Sequence, residues 1–408
     1  MTFLNPEEKR HARRLAREVV VPGMGELDDA ALDEIVARAV WSGLGEPGDR
    51  MVAALCDRVG ASAALDALAA GNSPTELARF MGESEDNPEW TELVELLADA
   101  VERWSPRLQS RDASGHFQRA KNVAAALLVP EHPLWPSGFE RLGQHAPVAL
   151  WLRGRPELLE ALDRSVSVVG ARASTGYGEH VATDLVSSLV DRGFAIVSGA
   201  AYGIDGMAHR AALGSNGVTI AVLAGGIDRL YPSGHDALLK RIIECGLVIT
   251  ELPCGYAPTK WRFLQRNRLI AAASLATVVV EAGWRSGSLN TAHHALDMDI
   301  PVGAIPGPVT SASSAGTHRL LRETPAVCVT TANEIVELAI GASEHPVLDE
   351  TVHPHATRVL DTLSRSRARE REHIAQLSGL SEMQTMVTLG LLEMQGAVRQ
   401  SETGWVRA

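Results

Sequence analysis

The chain has 408 residues, 45% of them hydrophobic and 22% charged, and a formal net charge of −12. This composition excludes a disordered or fibrous protein, and a chain of this length usually forms two or three domains. The four cysteines lack CxxC spacing and no apolar run is long enough to span a bilayer, so we expect a cytoplasmic protein without a metal or cofactor site.

Residues 1–130 are predicted to form a small all-α domain. Segments such as "LDDAALDEIVARAVWSGL" and "RMVAALCDRVGASAALDALAAG" place apolar residues three and four positions apart, between Gly and Pro. The following stretch, "EHPLWPSGFERLGQHAPVALWLRG", is rich in Pro, Trp and Gly. It is typical of a connector with one short strand.

Residues 131–341 are predicted to form a Rossmann-like α/β domain. From Ser165 onward, apolar runs such as "SVSVVGA", "FAIVSGAA" and "TVVVEAG" alternate with segments of helical spacing. The runs show no alternation of apolar and polar residues, so both faces of each strand are expected to be covered. This pattern favours a doubly wound, mostly parallel sheet.

The last part of the chain is predicted to form a linker, 342–354, and a winged-helix domain, 355–408. The linker sequence is rich in Pro and His, and three amphipathic helices followed by two short strands are typical of a winged helix. Such domains bind protein about as readily as DNA. The basic run Ser364–Arg371 is the only local support for a DNA role here, and we favour a solvated helix face as its explanation.

Negative charge is concentrated at the N-terminal end of the chain. Residues 1–150 hold 15 Lys and Arg against 24 Asp and Glu, whereas residues 151–341 hold 16 against 17. A nucleic acid would therefore have to meet a local cationic surface in the middle of the chain.

Glycines and hydroxyl groups follow several of the predicted strands. Ligands of parallel sheets bind beyond the carboxyl ends of the strands, where the amides of a helix start can hold an anion. The first loop, "VVGARASTGYG", matches neither GxGxxG nor GxxxxGK[ST], which excludes a dinucleotide fingerprint and a Walker-type NTPase. Alternatively, these glycines simply close turns. The candidate phosphate-binding residues are Gly170, Arg172, Ser174, Ser198, Gly199, Gly203, Gly225, Gly226, Ser286, Gly287 and Ser288.

The segment "KWRFLQRNRLI" combines cations with aromatic rings. Its cations suit backbone phosphates, and its rings offer flat faces on which an unpaired base can stack. Bases of a duplex are already stacked on each other, so this combination favours single strands. The alternative is an amphipathic segment whose Phe263 and Leu264 are core residues. The candidate contacts are Lys260, Arg262, Phe263, Arg266 and Asn267.

Two carboxylates, Asp205 and Glu281, are possible catalytic groups. His209 follows Asp205 by four residues on a predicted helix, and the pair is suited either to acid/base chemistry or to a helix cap beside a hydrogen-bonded histidine, which we favour. Glu281 closes an apolar strand. It is either a buried carboxylate that caps a loop or a catalytic group.

In combination and order, these motifs resemble the DNA-processing protein A family, DprA or Smf. They include "VVGARASTGYG", "SGAAYGIDGMAH", "GGIDRLYP", "RFLQRNRLIAA" and "VVVEAGWRSGSLNTA", and they span about residues 130–325. The resemblance implies a Rossmann-like, non-enzymatic protein that binds and protects incoming single-stranded DNA, forms a homodimer and loads the RecA recombinase in natural transformation. It also implies an N-terminal domain of the SAM or helix-hairpin-helix type.

The resemblance also assigns residues. Arg172 lies in the family's Gly-Ser-Arg turn, where Ala171 replaces Ser. Arg262, Phe263, Arg266 and Asn267 lie in its Phe-x-x-Arg-Asn-Arg segment, and Tyr202 stands where an arginine is common. We hypothesise that Tyr202 replaces that charge by stacking on a base.

Two other functions remain open from the sequence. The first is a nucleotide-binding enzyme of the phosphoribohydrolase type, in which Glu281 acts on a ribosyl transition state, although its loop here differs from the Pro-Gly-Gly-x-Gly-Thr of that group. The second makes the C-terminal domain the DNA reader and the central domain a nucleotide sensor.

Overall fold

The computed structural model describes residues 3–109, 112–341, 355–364, 367–394, 396–401 and 403–407. The chain divides into two compact units, Met1–Gly341 and Ala342–Ala408. Within the described ranges no helix has the length and apolar character needed to cross a membrane. The predicted linker, 342–354, and part of the basic run Ser364–Arg371 lie outside the described residues.

The first unit begins with a helical region. Several of its helices start at polar caps, such as the capping boxes formed by Asn5 with Glu8 and by Ser73 with Glu76. Trp41 and Trp104 meet edge to face in its core with ring centroids 5.1 Å apart. The helices are α1 (Pro6–Val19), α2 (Asp29–Leu44), α3 (Arg50–Val59), α4 (Ala61–Ala69), α5 (Pro74–Phe80), α6 (Trp90–Gln109) and α7 (Ala113–Asn122).

Nine strands within the described residues form one sheet in the first unit, in the order β1-β2-β6-β5-β4-β3-β7-β8-β9. They are β1 (Ala126–Leu128), β2 (Leu150–Gly154), β3 (Ser165–Val169), β4 (Ala195–Ser198), β5 (Thr219–Val222), β6 (Leu247–Thr250), β7 (Ala276–Val279), β8 (Val302–Ala304) and β9 (Val327–Cys328). All pairings are parallel except β1 with β2 and β2 with β6. The predicted fold class is thereby confirmed.

A helix follows each parallel strand. These helices are α8 (Gly176–Asp191), α9 (Ile204–Gly214), α10 (Asp236–Cys245), α11 (Lys260–Ala272), α12 (Ser288–Asp297), α13 (Ala315–Glu323) and α14 (Ala332–Ile340). Every residue of β3 to β8 is buried, which explains why these strands show no apolar and polar alternation.

The strand order reverses at β3. From β3 the chain builds outward through β4, β5 and β6 on one side, and then returns to place β7 and β8 on the other. Val169 of β3 and Val279 of β7 are register partners at this point. The helices that follow these two strands, α8 and α12, belong to different hydrophobic cores, as expected for helices on opposite faces of the sheet.

The helical region shares a core with the sheet. Trp151 of β2 is fully buried, and its indole nitrogen donates to the Ser42 hydroxyl at 3.1 Å. Val248 of β6 and Ile242 of α10 belong to the same hydrophobic core. The helices end at Asn122 and β1 already belongs to the sheet, so the two parts form one compact unit; the boundary near residue 130 stays a prediction.

The second unit contains α15 (Ala356–Thr362), α16 (Arg371–Ser378), α17 (Glu382–Met394), β10 (Val398–Ser401) and β11 (Gly404–Arg407). The two strands form an antiparallel hairpin. Three helices followed by a hairpin is the order of elements predicted for a winged helix. Val359, Ile374 and Leu389 are fully buried in its core.

Candidate nucleic-acid interface

A cavity of about 680 Å³ lies at the point where the strand order reverses, and we call it the switch-point crevice. The loops after β3 and β7 and the middle of α11 line it. Crevices at this position are the usual ligand sites of doubly wound sheets. The predicted residues that line it are Gly170, Arg172, Phe263, Arg266, Asn267, Ser286, Gly287 and Ser288.

Arg172 and Phe263 meet at this crevice although they are distant in the sequence. The exposed guanidinium of Arg172 lies over the Phe263 ring, 5.1 Å from its centroid. No carboxylate pairs with Arg172 among the described residues, so its charge is available to a ligand. A planar guanidinium above an aromatic ring places hydrogen-bond donors for a phosphate next to a surface on which a base can stack.

Arg266 is a largely buried part of the crevice lining. Its side chain is 5% exposed, and its guanidinium donates to the carbonyl oxygens of Gly199 at 2.7 Å and Val222 at 2.5 Å. Burial lowers its pKa to about 10. Burial also raises the pKa of Asp205, which accepts from the Gly199 amide at 3.2 Å. Arg266 therefore joins the ends of β4 and β5 through Nη1, and its Nε donates to the Asn267 side-chain oxygen at 3.2 Å.

Arg262 points away from the crevice. It donates twice to the Glu46 carboxylate at 2.9 Å and once to the Ala257 carbonyl at 2.8 Å, and it lies 5.3 Å from the Tyr256 ring centroid. It thus connects the helical region to the sheet. Lys260, at the start of α11, is exposed.

Several other predicted residues shape the loops instead of lining the crevice. Ser198 is fully buried and donates to the Val168 carbonyl at 2.6 Å. Gly203 has φ +73°, and a Cβ there would lie 2.1 Å from the Ala171 oxygen, so only glycine lets these two loops touch. Ser174 donates to Glu179 at 2.8 Å.

The glycines Gly199, Gly225 and Gly226 also serve close packing. A Cβ at Gly199 would lie 2.3 Å from the Arg266 guanidinium, and one at Gly226 would lie 2.4 Å from the Pro253 oxygen. At Gly225 it would meet Pro258 at 3.0 Å. These glycines permit the approach of neighbouring groups, which agrees with the simple turn-closing role considered for them.

Tyr202 lies near the same rim. It is 45% exposed, its hydroxyl accepts from the Gly234 amide at 3.1 Å, and its ring packs edge to face on His235. The ring is therefore held in place with one part open to solvent. That it stacks on a base stays a prediction.

Glu281 and His209, both considered for catalysis, are engaged in the fold. Glu281 is 1% exposed and accepts from the Thr175 amide at 2.9 Å and from its hydroxyl at 2.5 Å, so it ties the end of β7 to the start of α8. His209 bonds through Nδ1 to the Thr219 hydroxyl at 2.7 Å, and burial lowers its pKa to about 3. The structural interpretation, which was favoured for His209 and left open for Glu281, fits both residues better than acid/base chemistry does.

The sequence interpretation overlooked two aromatic residues of the crevice and its rim, Trp284 and Tyr231. Trp284 lines the crevice, is 52% exposed and carries the Arg319 guanidinium 5.2 Å from its ring centroid. Tyr231 is 46% exposed and its ring centroid lies 5.5 Å from that of Phe263. The available signal was an aromatic residue directly beside a predicted strand-end loop, "AGWRSGS" for Trp284 and "DRLYP" for Tyr231.

Fold and site together define a Rossmann-like α/β protein with a crevice at the point of strand-order reversal, lined by arginine and aromatic side chains. Residues 126–339 match the family model of DNA recombination-mediator protein A, and the chain belongs to this family. The resemblance found in the sequence is thereby confirmed.

Relatives of known name support this assignment. The chain is 40% identical over 390 residues to a DNA processing protein DprA of Mycobacterium tuberculosis, which covers 90% of this chain and 93% of that protein. It is 41% identical over 192 residues to the protein Smf of Escherichia coli, covering 47% of this chain and 50% of that one. The X-ray structure of DprA from Streptococcus pneumoniae superposes with a TM-score of 0.58 at 28% identity, covering 74% of this chain and 96% of that structure.

Proposed function

We propose that the protein binds single-stranded DNA in the switch-point crevice, protects incoming strands and loads the RecA recombinase onto them, without covalent chemistry. The observation that carries this proposal is the unpaired guanidinium of Arg172 above the Phe263 ring at an open crevice. Membership of a family of recombination mediators supports the same role.

The chemistry of the rim favours single strands over duplexes. Trp284 and Tyr231 are about half exposed and Phe263 lines the crevice, and stacking on such rings contributes roughly 1–3 kcal/mol per unpaired base, whatever the sequence. The bases of a duplex cannot stack there without first leaving their partners. Arg172 and Arg285 line the same crevice and supply charge for phosphates.

The proposed setting is the cytoplasm during natural transformation or related DNA processing, with the protein acting as a homodimer. Both parts of this proposal rest on the family resemblance. A mediator must bind a strand reversibly, so that the recombinase can take its place. Base stacking together with a few phosphate contacts provides reversible binding of this kind.

The observed contacts support a binding protein over the two alternatives. For an enzyme, the Glu281 carboxylate would have to reach a substrate, whereas both of its oxygens accept from Thr175. For a DNA reader in the second unit, α17 would be the recognition helix, but its sequence "EMQTMVTLGLLEM" has two acidic residues and no Lys or Arg.

Recombinase loading tests the proposal. We expect the full chain to shorten the lag before RecA hydrolyses ATP on single strands precoated with a single-strand-binding protein. The double variant Arg172→Ala, Phe263→Ala should lose this effect, whereas Arg241→Ala, an exposed arginine on α10, should keep it. A double variant that still loads RecA would contradict the proposal. Release of free base from nucleotides, abolished by Glu281→Gln, would favour the enzyme instead.

A further inference from the structure

A second cavity adjoins the switch-point crevice. It has a volume of about 470 Å³ and lies between the end of β2, the loop after β5 and the first half of α10. We call it the Arg153 cavity, after the arginine of β2 that lines it together with Arg229, Tyr231, Lys240 and Pro258. None of these residues was a candidate from the sequence.

Two aromatic rings connect the cavities. Phe263 lines the switch-point crevice and Tyr231 lines the Arg153 cavity, and their ring centroids are 5.5 Å apart with the planes tilted by 54°. Tyr231 is 46% exposed, so its ring is open to a ligand. A strand with one base on Phe263 therefore meets a second ring at the distance of a neighbouring base, and that ring belongs to the second cavity.

The charges of the Arg153 cavity suit a phosphate. Its two carboxylates are already engaged: Asp228 accepts from the Gly255 amide at 2.8 Å and lies 3.5 Å from Arg229, and Asp236 pairs with Lys240 at 2.8 Å. Arg153 is half-buried and has no carboxylate partner among the described residues. Three cations against two carboxylates leave one positive charge unmatched.

The exposed ion pair of the cavity can exchange partners at little cost. The Lys240 side chain is 64% exposed and that of Asp236 is 49% exposed, and pairs of this kind contribute little to stability. A phosphate held by Arg153 can therefore also recruit Lys240, and each phosphate contact releases counterions from the strand.

Resting on the single-strand binding proposed above, we propose that the Arg153 cavity is a second subsite for the same polynucleotide. The strand leaves the switch-point crevice across Phe263 and Tyr231, and Arg153 then binds the phosphate of a nucleotide beyond the ring pair. The ligand is the continuing sugar-phosphate chain of single-stranded DNA, and no base is specified. The cavity thus lengthens the DNA-binding site and determines the path that the strand follows from the crevice.

Length dependence tests this subsite on the full chain. Fluorescence anisotropy would compare Arg153→Ala with wild type on oligothymidines of about 6 and about 16 nucleotides. We expect the longer oligonucleotide to lose about tenfold in affinity and the shorter one to change by less than about twofold. The slope of log affinity against log salt should fall by about 0.7 for the longer oligonucleotide only.

Two further variants keep the test interpretable. Arg155→Ala removes a neighbouring arginine that pairs with Glu157 and does not line the cavity, and both oligonucleotides should bind as to wild type. Lys240→Ala changes an exposed side chain that the fold does not need, so a length-dependent loss there would support the subsite even if Arg153→Ala failed to fold.

The outcomes separate this proposal from the one on which it rests. If Arg172→Ala weakens both oligonucleotides but Arg153→Ala and Lys240→Ala weaken neither, the crevice binds DNA and the second subsite is wrong. Equal loss on both lengths from Arg153→Ala would also overturn it. If no variant, including Arg172→Ala, changes binding, the crevice itself is not the DNA site. Normal DNA binding by Arg153→Ala with impaired RecA loading would make the cavity a protein-docking surface instead.

Discussion

Replacing Arg266 with alanine is expected to lower the free energy of unfolding by about 3–5 kcal/mol. The variant would leave the carbonyl oxygens of Gly199 and Val222 without their buried donor, and it would remove the cation near Asp205. It would also open a cavity beside Gly199, whose α-carbon faces the guanidinium. The measurement is the midpoint of guanidinium denaturation followed by tryptophan fluorescence.

Two comparisons show whether Arg266 acts through the fold. Lys260→Ala, an exposed cation on the same helix, should leave the midpoint unchanged. Arg266→Lys should recover part of the stability because it keeps the charge and some donors, but it lacks the planar fork. If Arg266→Ala kept the wild-type midpoint and lost only DNA affinity, its guanidinium would face the ligand and the buried arrangement would be wrong.

Removing the ring of Phe263 is expected to weaken single-strand binding by about 1–3 kcal/mol, which corresponds to about 5- to 150-fold in affinity. Arg172→Ala should weaken it as well, with a salt dependence shallower by about 0.7 in log slope, because one phosphate contact is lost. The two side chains touch, so the double variant should lose less than the sum of the two single losses. Equilibrium anisotropy with oligothymidine measures all three variants.

Arg262→Ala is the matched control within the same motif. Its guanidinium pairs with Glu46 and lies outside the crevice, so we expect single-strand affinity to change by less than about twofold. A loss from Arg262→Ala as large as that from Arg172→Ala would show that the DNA does not follow the crevice rim.

The sheet could be predicted because its strands carry their own signal. The runs that form β3 to β8 are short, apolar and bounded by turn residues, and burial of both faces demands this composition. The strands β1 and β9 were missed, since three- and two-residue strands are too short for a pattern and form only where an existing edge accepts them.

Part of the candidate site could also be predicted from the sequence. The sequence named both Arg172 and Phe263 as candidate contacts of a nucleic acid, and the two side chains meet in the structure. The roles of the other arginines depend on partners remote in the chain. Arg266 is held by carbonyls 67 and 44 residues away, and Arg262 by a carboxylate 216 residues away, and no local pattern reveals such partners.

The central claim is that the switch-point crevice holds unpaired polynucleotide, and a direct measurement compares single-stranded with duplex DNA of the same length across a salt titration. We expect wild type to bind the single strand at least about tenfold more tightly, and the Arg172→Ala, Phe263→Ala double variant to lose most of that difference. Equal affinity of wild type for both DNA forms, or a double variant that keeps the full preference for single strands, would contradict the claim.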